Sequence, residues 1–176
     1  MIIQLQGKHD VYEFNPDSKS DIIAHNETYS TLYRARAIST NSFVTIKHIL
    51  NSQLITNNEH AEIIYTILTS INQLHTGIQQ TIDIIVNEQG YFLVKEYLQG
   101  VDLKTIIFDP DYPHMRHPIT MLSIALETSK VLEVIHQNGI IHRNITPSNI
   151  FILTDEYGKI NEHDIQIKLL DFEKAQ

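Results

Sequence analysis

Apolar and polar positions alternate along most of the first hundred residues, and the alternation predicts strands. Phe43-Val44-Thr45-Ile46-Lys47-His48-Ile49-Leu50 alternates and is rich in β-branched residues. Ile22-Ile23-Ala24 and residues 29–36 predict strands ahead of it, with Asn41-Ser42 as the intervening turn. Residues 80–86 and 91–98 predict a hairpin about Asn87-Glu88-Gln89-Gly90. Residues 1–19 read as a polar lead-in with one short apolar patch, closed by the turn signal Asn15-Pro16-Asp17-Ser18.

Elsewhere the period changes to that of a helix. Ile63, Ile64, Ile67, Leu68, Ile71 and Leu74 recur at helical spacing, with Asn57 or Asn58 as the cap. Residues 103–107 predict a short helix, followed by a Pro-bounded loop. Residues 119–137 predict the longest helix. Leu122, Ala125, Leu126, Ser129, Leu132, Val134 and Ile135 form its apolar face, and Asn138-Gly139 ends it. Two short strands follow at residues 150–153 and 165–170.

Composition narrows the function classes. Hydrophobic residues make up 42% and charged residues 19% of the 176, enough to pack a core and too apolar for a disordered chain. A net charge of −8 argues against nucleic acid or an anionic membrane as the main partner. With no cysteine there is neither a disulfide framework nor thiolate chemistry. No apolar run approaches bilayer length, and Met1-Ile2-Ile3-Gln4-Leu5 lacks the pattern of a signal peptide, so the expected location is cytoplasmic. His114 and His117 sit in a loop without a third ligand at metal-binding spacing.

The chemistry concentrates near the end of the sequence. Gly139-Ile140-Ile141-His142-Arg143-Asn144-Ile145-Thr146-Pro147-Ser148-Asn149-Ile150-Phe151-Ile152 is followed by Lys168-Leu169-Leu170-Asp171-Phe172-Glu173. This pair of segments resembles the catalytic loop and the metal-binding Asp-Phe-Gly segment of protein kinases. Val44-Thr45-Ile46-Lys47 matches the family's Val-Ala-Ile-Lys strand. The resemblance covers nearly everything after residue 20. In detail the chain looks most like the degenerate kinase-like domain at the N-terminus of large bacterial multidomain sensor histidine kinases. It implies an α+β protein-kinase-like fold: a five-stranded antiparallel small-lobe sheet with one helix, then the first part of a helical large lobe. The expected division is a lead-in at 1–19, the small lobe at 20–98, and a hinge with a partial large lobe at 99–176.

The resemblance also implies a set of roles. Lys47 would reach the phosphates of ATP and pair with a glutamate of the next helix, Glu62 or Glu59, of which Glu62 is preferred. The backbone at Glu96-Tyr97-Leu98 would hydrogen-bond adenine, so Glu96 and Leu98 are the hinge positions. Lys95 stands where an apolar residue usually backs the adenine pocket. Asn149 and Asp171 would hold Mg²⁺ shared with the phosphates, and His142 and Arg143 would support the loop.

Several positions depart from the pattern. Asn144 replaces the aspartate that accepts the substrate hydroxyl proton, and an amide cannot accept it at neutral pH. Losing a general base costs about 10²–10⁴-fold. Thr146 replaces the usual lysine, and Glu173 replaces the glycine of the metal segment. His25, Glu27 and Ser30 fall where glycines normally let backbone N–H groups approach the phosphates.

Three readings follow from these residues. One is a weak Ser/Thr protein kinase using ATP and Mg²⁺. Another is a pseudokinase that binds or scaffolds in signalling. The third is a small-molecule kinase of the choline or aminoglycoside type, which also needs the aspartate replaced at Asn144. Because the sequence ends just past Asp171, the 119–137 helix is expected to expose an apolar face. That face would pair with itself or dock on a protein partner, unless the chain is a truncated remnant of a longer gene.

Overall fold

Two strands of eight residues form the longest ladder of the computed structural model, which describes residues 1–26, 30–49 and 58–176. Strands β4 (Ser30–Ala37) and β5 (Ser42–Ile49) pair antiparallel, with Ser30 opposite Ile49 and Ala37 opposite Ser42. Along β4 the residues Thr31, Tyr33, Ala35 and Ala37 are buried and their neighbours are not, the period of two expected of a sheet with one covered face. Asn41 turns the chain between the strands with φ at 56°, and its Oδ1 accepts from Arg36 Nη1 at 2.6 Å.

The chain divides into two compact units, residues 1–69 with 80–97 and residues 70–79 with 98–176. In the first, β1 (Ile3–Gln6), β2 (Val11–Phe14), β3 (Ile22–Asn26), β6 (Thr81–Asn87) and β7 (Gly90–Glu96) join β4 and β5. The order is β1-β2-β4-β5-β7-β6, with β3 also paired to β4. The sheet thus has seven strands among the described residues, where the sequence reading expected five. The additional pair comes from residues 1–19. Ile3, Leu5, Val11 and the aromatic Tyr12 and Phe14 supply a strand pattern that polar Gln and Glu on the outer face disguise. Leu5, Tyr12 and Phe14 are buried with Tyr33, Ile46 and Phe92 in one core. Helix α1 (Asn58–Ile71) follows β5. Asn57, Glu27 and Leu50 lie outside the described residues.

The second unit is built on a three-stranded sheet. Its strands, β8 (Gly100–Asp102), β9 (Ile150–Leu153) and β10 (Ile167–Leu169), lie in the order β10-β9-β8. Residues 77–79 lock onto β10: Leu169 N donates to Gly77 O at 2.7 Å and Gln79 N to Leu169 O at 3.0 Å. Asp102 caps helix α2 (Leu103–Phe108) by accepting from Thr105 N at 2.9 Å. Helix α3 (Pro118–Gln137) starts with His117 as cap and proline at its first position. It ends in a Schellman motif, Gly139 N to His136 O and Ile140 N to Ile135 O, both at 2.9 Å, with Gly139 at φ 74°.

Helix α3 exposes part of the apolar face expected of it and buries another row. Thr120, Ile124, Thr128, Val131 and Ile135 are buried, whereas Leu122 and Leu126 are 70% and 57% exposed. The helix carries apolar residues on two sides, and periodicity alone does not say which side meets the core. The inner row packs on β10. Ile135, Ile152 and Leu169 are fully enclosed, and each such burial stabilises by about 1.5–3 kcal/mol. Among the described residues no helix is long and apolar enough to cross a membrane.

Candidate functional site

In the first unit, Lys47 projects from the middle of the sheet. Val44 and Ile46 are buried toward the core, which turns Thr45 and Lys47 to the other face. Leu32 on β4 and Leu93 on β7 flank Lys47 in register. Lys95 lies opposite Thr45 on β7 and is buried. No buried side-chain nitrogen or oxygen among the described residues lacks a hydrogen-bond partner, so this cation is accommodated.

Glu62 is engaged elsewhere than expected. Its Oε2 accepts from Lys8 Nζ at 2.6 Å, a half-exposed ion pair with the turn between β1 and β2. The side chains of Glu59 and His25 lie outside the described residues. Glu96 ends β7, where its Oε1 accepts from Gln80 N at 2.8 Å and its N donates to Gln80 O at 3.0 Å. Those two bonds fix the strand end that carries the expected hinge. Leu98 falls in the second unit, half-buried and outside any strand.

In the second unit the structure brings Asn144, Asn149 and the residue before Asp171 into one hydrogen-bonded net. Asn149 N donates to Thr146 O at 2.9 Å, closing the polar turn around Pro147. Its Nδ2 donates to Asn144 O at 2.9 Å, and its main-chain O accepts from Leu170 N at 2.9 Å. Anchoring Nδ2 to the loop leaves Oδ1 as the oxygen donor of the Asn149 side chain.

His142 is the centre of the net. Its Nδ1 accepts from Asn144 N at 3.2 Å, so the ring proton resides on Nε2, which donates to Leu170 O at 2.9 Å. The ring also lies 4.3 Å from that of Phe172. Burial pushes the imidazole below its ordinary pKa, against the opposing pull of the Leu170 carbonyl and the acids Asp171 and Glu173. The unfolded chain therefore binds more protons than the folded one below about pH 6.5. Stability contributed by neutral His142 is whole above that pH and is lost as the pH falls through it. Melting temperature should drop on acidification from about pH 7.5 to 5, more steeply for the wild type than for His142→Gln. Equal slopes in the two proteins would contradict this account.

Two non-glycine residues of the segment hold left-handed backbone, Arg143 and Asp171, each at φ 63°. Such conformations cost about 1–3 kcal/mol each and persist where the surroundings over-determine them. Here Ile141 and Gln176 exchange backbone hydrogen bonds at 2.9 and 3.1 Å, and Arg143 Nη1 donates to Gln176 Oε1 at 2.7 Å. Leu170, just before Asp171, is held by both Asn149 and His142.

Asn149 Oδ1 and the Asp171 carboxylate are two hard oxygen donors, a set that fits Mg²⁺ shared with phosphates better than a cation caged by protein alone. No group of three or more His, Cys, Asp or Glu residues able to hold a metal occurs among the described residues. The supporting role of His142 is the one the resemblance implied, with Leu170 as its distant partner, whereas the pairing of Glu62 with Lys8 had no local sequence signal. Both depend on partners 28 and 54 residues away.

Comparison with known proteins matches residues 27–176 to the protein kinase domain. A probable serine/threonine-protein kinase of Clostridium perfringens is 30% identical over 138 residues, 77% of this chain and 19% of that protein. A probable serine/threonine-protein kinase of Dictyostelium discoideum is 30% identical over 82% of this chain and 10% of its own length. An Arabidopsis thaliana serine/threonine-protein kinase is 31% identical over 82% of this chain and 19% of its own. The chain therefore spans no more than about a fifth of these relatives. The match runs from β4 through the His142–Asp171 net, and the chain belongs to the protein kinase family.

Proposed function

We propose that this protein kinase domain binds Mg·ATP, with the roles the family gives to Lys47 in the first unit and to Asn149 and Asp171 in the second, and transfers its phosphoryl group to Ser or Thr only weakly. The observation that carries the reading is the net around Asn149, which fixes one oxygen donor beside the loop and restrains the residue preceding the other. Bound Mg·ATP would supply the phosphoryl group and neutralise its charge. Lys47 offers a cation on a rigid strand, suited to polyphosphate. Asn144 supplies no proton acceptor, which is why transfer is weak.

Thermal unfolding with and without Mg·ATP tests the binding. Ligand at a hundred times its dissociation constant stabilises by about 2.7 kcal/mol, a rise of about 5–10 °C for a chain of this size. Lys47→Ala should lose most of that rise. A wild-type protein that melts cooperatively with no rise would defeat the reading.

A binding module is the second reading, favoured by the outer row of α3. Ile119, Leu122 and Leu126 are exposed, as are Ala125 and Ser129 beside them. The row carries no charge in a chain of net charge −8, so it is where two copies meet with least repulsion. Sedimentation velocity should show mass rising with concentration, and Leu122→Asp/Leu126→Asp should abolish the rise. A wild type that stays monomeric at every concentration excludes self-association.

A further inference from the structure

The turn joining β1 to β2 reaches across the first unit to helix α1 and strand β6. Lys8 Nζ meets Glu62 Oε2 at 2.6 Å and lies 4.8 Å from the centre of the Tyr65 ring. His9 Nε2 shares a hydrogen bond of 2.8 Å with Tyr65 Oη, and Tyr65 donates onward to Ile82 O at 3.2 Å. The backbone N of His9 donates to Asp83 Oδ2 at 3.1 Å, and Tyr12 Oη donates to the same oxygen at 3.2 Å. Asp83 is fully buried. The turn passes so close that a Cβ on Gly7 would run into Asp83 Oδ2.

Helix α1 also has an apolar anchor. Among its described side chains only Ala61, Leu68 and Ile71 are buried, while Ile63 and Ile67 are about half exposed. A fourteen-residue helix is marginal on its own in water, so tertiary contacts set its place, and the polar ones to the turn are among them. Those contacts fall on Glu62 and Tyr65, one turn apart on a single face. They come from residues 54 and 56 positions earlier in the chain.

We propose that the Gly7–Asp10 turn is a clip that fixes helix α1 in place, with Lys8 and His9 as positioning residues and Asp83 as the buried post on which the turn is seated. Resting on the Mg·ATP reading above, the clip also tunes nucleotide affinity, since Lys8 holds Glu62, the acid expected to pair with Lys47, and so withholds it from that lysine. The N-terminal hairpin is then part of the site's machinery and not an ornament of the sheet.

The test compares the whole wild-type chain with Lys8→Ala/His9→Ala and, separately, Tyr65→Phe, which keeps the ring beneath Lys8. Amide hydrogen exchange across residues 61–71 should quicken about tenfold in the double variant and less in Tyr65→Phe. Exchange in β4, β5 and β7 should not change. Mg·ATP affinity, by calorimetry, should rise about three- to tenfold in the double variant as Glu62 is released. Unchanged exchange in α1 overturns the clip. Faster exchange with affinity that does not rise overturns its link to the nucleotide site. If the wild type binds no Mg·ATP, the reading under Proposed function fails, and the exchange result still decides whether the clip exists.

Discussion

Replacing Asn144 by aspartate should raise phosphoryl transfer about 10²–10⁴-fold, the worth of a positioned general base. The loop around this position is held by its main chain. Asn144 N donates to His142 Nδ1 and Asn144 O accepts from Asn149 Nδ2. Neither bond uses the side chain, and aspartate is isosteric with asparagine, so the substitution changes the chemistry without moving the scaffold. The carboxylate can accept the substrate hydroxyl proton that the amide cannot. Lys47, Asn149 and Asp171 are untouched, so kcat should rise while nucleotide affinity stays within about twofold. Steady-state transfer from Mg·ATP to a generic Ser/Thr substrate measures both. A variant no faster than the wild type would show that Asn144 is not what limits transfer, and attention would pass to Thr146.

The loop at residues 139–152 was legible through its resemblance to the kinase catalytic loop, which contiguous residues carry. His142, Asn144, Asn149 and Asp171 sit within thirty positions, and their spacing is that of a loop followed by a hairpin. The strands between residues 22 and 96 were legible for a different reason: one buried face imposes a period of two. The hairpin of β1 and β2 escaped notice because each strand has four residues, too few for alternation to stand out. On α3 the two apolar rows were both visible, and the inner one could not be chosen without knowing that β10 lies beneath it. Glu62 shows the remaining limit. Its helical position is readable, yet its partner Lys8 is set by how a distant turn is folded back.

Asp83 was invisible for the same reason, and its removal should carry the largest loss of stability. In sequence it is one acid between Ile82 and Ile84, where an exposed outer-face residue would be expected. In the structure it is fully buried and accepts from His9 N, from Tyr12 Oη and, through Oδ1, from Ile84 N at 2.9 Å. Burial and the neighbouring carboxylate push the Tyr12 phenol well above its ordinary pKa, so it remains a donor at any working pH. Asp83→Ala leaves the Tyr12 hydroxyl and the His9 N–H without their acceptor. Stranded polar groups cost about 1–3 kcal/mol each, so the loss should be about 3 kcal/mol, a fall in melting temperature of about 6–12 °C. Asp83→Asn should lie between the two proteins. An amide has one oxygen, and it can serve either the His9 and Tyr12 pair or Ile84, while its NH₂ group faces donors at the other position. Thermal unfolding at neutral pH decides the matter: an Asp83→Ala protein as stable as the wild type would mean that the post does not seat the turn. A loss confined to Asp83→Ala, with Asn fully tolerated, would mean that packing volume and not hydrogen bonding is what the site requires.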